Sequence, residues 1–152
     1  GLGDVYKRQF WDVIKLSKAP IICSHSSSMA MCKHDRNLTD EQLKALAQNG
    51  GVAQVCLLDR YINEDYKNAS LTDAIEHIDH MVKVAGIDHV GIGSDFDGGG
   101  GIIGCESDND FIQITVKLIE KGYTEEDIAK IWGGNLMRVL DEVQATASVK
   151  TL

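Results

Sequence analysis

Three short apolar runs, each followed by a longer segment of helical period, constrain this chain more than any other feature, because that alternation marks parallel β/α units. Residues 20–24 read PIICS, residues 51–58 read GVAQVCLL and residues 89–93 read HVGIG. The first and third are almost wholly apolar, as strands covered on both faces are. An amphipathic stretch, residues 10–16, precedes the first strand. Residues 38–49 predict a helix that Thr39 caps, with Gln42 reaching back and Gly50-Gly51 as the stop. Ser70 and Asp73 open a second helix, on which Leu71, Ala74, Ile75, Ile78, Met81, Val82 and Ala85 share one face until Gly86 ends it. Further helices are expected at residues 107–121, 124–131 and 135–143, with Thr124 and Asp127 starting the middle one.

Three strands are few for a parallel sheet, which needs neighbours and helices on both faces. The pattern therefore reads either as an unusually small α/β sheet or as a piece of a larger one. Residues 1–9, GLGDVYKRQ, fit neither period and resemble an adapter-derived leader. Residues 10–144 are the expected domain and residues 145–152 the expected tail. The charge balance is 15 basic against 23 acidic residues, a net −8, with the basic residues scattered. A phosphate backbone would be repelled, so nucleic acid is not an expected partner. No run approaches the roughly 18 apolar residues of a membrane span. Cys23, Cys32, Cys56 and Cys105 form no C-x-x-C pair, which reads as reduced thiols and a cytoplasmic location.

In parallel α/β folds the reactive groups collect at the carboxyl ends of the strands. That rule selects His25 after the first strand, Tyr61 between Arg60 and the next helix, and Asp95 after the third. His25 suits a metal or a general base, or else a strand end tied by hydrogen bonds. Asp95 has no packing reason to follow an apolar strand, so it reads as a general acid or base or a metal partner, or as a cap for the next turn. Arg36 lies before the first long helix, where its fork suits a carboxylate; a surface Arg beside a helix start is the plainer alternative. Asp97-Gly98 reads as a turn pair, and Gly98 to Gly101 as a mobile loop or as one that admits a substrate close to the backbone. His77 and His80 lack the Glu of an H-E-x-x-H pair and read as structural, Trp11 and Trp132 as packing residues, and Ser26 to Ser28 lack a nucleophile elbow.

Ser24-His25-Ser26-Ser27, His34-Asp35-Arg36-Asn37-Leu38-Thr39-Asp40, Gly91-Ile92-Gly93-Ser94-Asp95-Phe96-Asp97-Gly98 and Gly134-Asn135-Leu136-Met137-Arg138-Val139 together resemble the membrane (renal) dipeptidase family, peptidase family M19. The resemblance runs from about Phe10 to Val143. It implies an α/β fold: the carboxyl-terminal part, about strands six to eight with the closing helices, of a (β/α)8 TIM barrel, which needs about 250 residues. It also implies a two-zinc hydrolase of dipeptides with a free carboxylate. In that resemblance His25 ligates one zinc, Arg36 holds the substrate carboxylate, Tyr61 contacts the substrate and Asp95 shuttles a proton from water to the leaving amine. The family's H-x-D pair, its metal-bridging Glu and its other His ligand are absent from Phe10 onward, so the chain alone is expected to be inactive. Asp35 stands where Pro is common, a change expected to alter only the local turn. Two alternatives stay open: a small non-catalytic α/β binding or assembly module, and an amidohydrolase of another small amide. An unclosed sheet edge favours self-association, and a homodimer is among the expected assemblies.

Overall fold

The computed structural model describes residues 2–148. Three parallel strands, β1 (Ile22–Cys23), β2 (Val52–Cys56) and β3 (Val90–Ser94), form one sheet in the order β1-β2-β3. Ile22 pairs with Val52 and Ala53 with Val90, so all three strands point the same way and their carboxyl ends share one rim. The strands are shorter than the apolar runs because backbone pairing ends where the chain turns into the loops.

Helix α1 spans Leu2–Leu16 and therefore includes residues that fit no period in the sequence. Helix α2 (Asp40–Gln48) starts on the Thr39–Gln42 capping box, and α4 (Leu71–Ala85) on the equivalent Ser70–Asp73 box. Gly86 closes α4 at φ 93°, a conformation glycine takes without strain. A short α3 (Asp59–Ile62) lies between β2 and α4. After β3 come α5 (Phe111–Glu120) and α6 (Glu125–Ala129), the latter on a Thr124–Asp127 box. A wider turn, Lys130–Gly134, leads into α7 (Asn135–Ser148), which continues through much of the expected tail.

The core is one buried cluster in which Ala53, Val55 and Leu57 join Leu43 and Leu46 of α2, Ile75, Ile78 and Met81 of α4, and Ile114 and Leu118 of α5, which packs on α4. Trp132 joins this packing through Phe111 and donates to Thr115 Oγ1 at 2.9 Å. Trp11, expected to pack, is partly exposed on α1.

The amino ends of the strands are tied by side chains. Asn135 Nδ2 donates to the carbonyls of Ile87 and Val90 (2.7 and 2.8 Å), and Arg138 donates to those of Gly50 and Asp88 (2.8 and 2.9 Å). His89 Nδ1 donates to Gly51 O at 2.8 Å. This rim is a clamp, which leaves the opposite one for chemistry.

Candidate active site

His25 follows β1 by two residues. Arg36 Nη2 donates to His25 Nε2 at 3.1 Å, because a guanidinium has only donors, so Nδ1 carries the imidazole proton and donates to Ser24 Oγ at 2.8 Å. The metal-ligand candidate and the carboxylate-binding candidate are thus neighbours. The loop carrying both is held from below. Asn37 Oδ1 accepts from the Ser27 N–H (3.2 Å), and its Nδ2 donates to the carbonyls of Cys32 and Tyr61, each at 2.8 Å. Ser28 N–H donates to His77 Nδ1 at 3.0 Å while His77 Nε2 donates to Ile62 O at 2.9 Å. Burial lowers the His77 pKa to about 4, so the ring is neutral and structural, as expected from the missing Glu of an H-E-x-x-H pair.

Tyr61 lies on α3, its ring 4.4 Å from that of His34. His34 Nδ1 accepts from the Arg36 N–H at 3.2 Å. Burial lowers the His34 pKa, with Arg60 and Arg36 adding to that effect and Asp35 opposing it. Tyr61 and Arg36 are therefore joined through Asn37 and His34. The sequence placed Asn37 in a motif without giving it a task; its three partners lie 5 to 24 residues away, and no local pattern reveals them.

Asp95 stands directly after β3. Ser94 and Asp95 take φ values of 37° and 71°, left-handed conformations that cost a non-glycine residue on the order of 1–3 kcal/mol and persist where the surroundings enforce them. Here the glycine loop enforces them. Asp95 O accepts from the N–H groups of Gly98 and Gly100 (3.0 and 2.9 Å). A Cβ at Gly98 would lie 2.5 Å from Asp95 Oδ1, and one at Gly100 would lie 2.7 Å from Asp95 O. The run read from sequence as a loop is thus a collar on Asp95, Gly98 against its carboxylate and Gly100 against its carbonyl. Cys56 Sγ lies 3.8 Å from Asp95 Oδ2. Burial pushes the Cys56 pKa up to about 11, with Asp95 raising it further and Arg36 opposing, so both charges act on this one thiol.

His25 and Arg36 are thus in contact, Tyr61 is tied to Arg36, and Asp95 lies beside Cys56 at the end of β3. Ser27 and Ser28 are buried, which removes them as nucleophiles. Among the described residues no group of three or more His, Cys, Asp or Glu side chains is placed to hold a metal ion. These residues do not make a metal centre by themselves, and His25 Nε2 points at a guanidinium.

The sequence matches the pattern of the family described as Membrane dipeptidase (Peptidase family M19) over residues 2–152. The chain belongs to this family. Among curated relatives, Dipeptidase ataJ of Aspergillus terreus is 41% identical over 138 residues, covering 90% of this chain and 34% of the relative. The probable dipeptidase PvdM from Pseudomonas aeruginosa superimposes with a TM-score of 0.84 at 30% identity, over 90% of this chain and 48% of that one. A metallo peptidase from Rhodobacter sphaeroides, solved with a phosphinate mimic of the dipeptide L-Ala-D-Ala, gives 0.83 at 30% identity, over 88% and 39%. The M19 chain spans about a third of the length of its curated relatives, and its sheet is part of a TIM barrel. No helix among the described residues is long and apolar enough to cross a membrane.

Proposed function

We propose that the whole protein to which this chain contributes is a zinc metallodipeptidase, with two zinc ions, that hydrolyses dipeptides bearing a free carboxylate. The observation that carries this reading is the 3.1 Å contact between His25 and Arg36. A carboxylate anchor beside a metal ligand measures out a short substrate, because successive Cα atoms are only about 3.8 Å apart. Arg36 grips the terminal carboxylate with two parallel hydrogen bonds, and Tyr61 lies against the bound dipeptide. Asp95 takes a proton from the attacking water and returns it to the leaving amine. His25 binds one zinc through Nε2, which requires the Arg36 guanidinium to leave that nitrogen and turn to the substrate carboxylate. The remaining ligands belong to the part of the relatives' length that this chain does not span. Relatives described as metallopeptidases support the metal, and the one solved with a dipeptide mimic supports the substrate class.

The test is the whole protein assayed with zinc on a dipeptide and on its carboxyl-terminal amide. Wild type prefers the free carboxylate, and Arg36→Met loses about a hundredfold in kcat/KM on the dipeptide while leaving the amide nearly unchanged. Equal loss on both substrates contradicts the role of Arg36.

A further inference from the structure

We propose that Cys56 is a positioning residue for Asp95, its thiol donating to the carboxylate across the gap between β2 and β3; this rests on Asp95 being the proton carrier. Cys56 is the last residue of β2, and its Sγ lies 3.8 Å from both Asp95 Oδ2 and Ser94 O. The strand register places it there. Val55 pairs with Ile92, but Cys56 pairs with Ser94, so an irregularity skips Gly93 and brings the turn into Asp95 alongside the thiol. The backbone of Cys56 is itself fixed, because the buried Ser27 Oγ accepts from its N–H at 3.2 Å and donates to its carbonyl at 3.1 Å. A fixed strand end thus aims one S–H at a carboxylate whose own backbone is held by the glycine collar. The thiol keeps its proton at neutral pH, since burial raises its pKa to about 11, and so it serves as a donor throughout the working range.

The experiment uses the whole protein with zinc and a free-carboxylate dipeptide, comparing C56A, C56V, C56S and D95N. C56A and C56V are expected to lower kcat about tenfold with KM within about twofold, C56S to recover most of that loss, and D95N to abolish turnover. Wild-type kcat in C56A and C56V beside an inactive D95N overturns the role of Cys56. Full activity in D95N overturns the role of Asp95 instead. Should the Cys56 variants fail to melt cooperatively, the infrared S–H stretch decides: a low-frequency band in wild type that moves on D95N upholds the contact, and an unmoved band overturns it.

Discussion

His77 is 1% exposed on α4, with one ring nitrogen accepting from Ser28 and the other donating to Ile62. Its folded pKa of about 4 lies below the ordinary 6.5, so between those values the unfolded chain binds the extra proton. Stability is fully present above about pH 6.5 and falls as pH drops towards 4, by on the order of 3 kcal/mol across the window. Urea midpoints of the whole protein at pH 7.5 and 4.5 should therefore converge in His77→Gln relative to wild type; an identical pH slope would remove His77 from the account. Asn37 makes a second prediction. Asn37→Ala leaves a buried N–H and two carbonyls without their partner, so it should cost about 2–3 kcal/mol in denaturant unfolding and raise KM through Arg36 and Tyr61. An unchanged KM would detach the loop anchor from substrate binding. Neither residue's task was legible in the sequence. His77 reaches Ser28 across 49 positions, a contact that only the folded chain creates.

The elements themselves were largely legible, because what starts a helix is local. Thr39–Gln42, Ser70–Asp73 and Thr124–Asp127 all form the boxes their three-residue spacing predicts. Thr39→Ala should accordingly cost about 1 kcal/mol of stability without touching turnover, a contrast that melting and kinetics together can check. The loop after β3 behaves differently. Its glycines read as a plain loop, yet a side chain at position 98 would strike the Asp95 carboxylate. Gly98→Ala should therefore reduce kcat at least tenfold while shifting the melting temperature little. Normal kcat in that variant would show that the collar is not needed. A break between residues 131 and 135 was expected, but its form, a wider turn over Lys130–Gly134 with Gly133 at an extended φ, was not legible in the apolar spacing.

At the scale of the whole molecule, both the sheet and the helix faces look for neighbours. Ile22 on β1 is 47% exposed, and Ile112, Val116 and Ile119 form an apolar stripe on α5. In a TIM barrel the strand edges close on one another, whereas among the described residues β1 and β3 each pair with β2 alone. The family was legible from four motifs because each holds part of one rim or clamps the other. A metal centre was not legible in the same way, since among the described residues no group of three or more His, Cys, Asp or Glu side chains is placed to hold an ion. In the proposed function this chain supplies the carboxylate anchor, the proton carrier and one zinc ligand to a dipeptidase completed elsewhere in the protein. The most direct test is hydrolysis of a free-carboxylate dipeptide by the whole protein and by the 152-residue chain, each chelated and then supplied with zinc. Zinc-dependent cleavage by the whole protein and none by the chain alone is expected; cleavage by the chain, or zinc-independent cleavage by the whole protein, would contradict a site shared in this way.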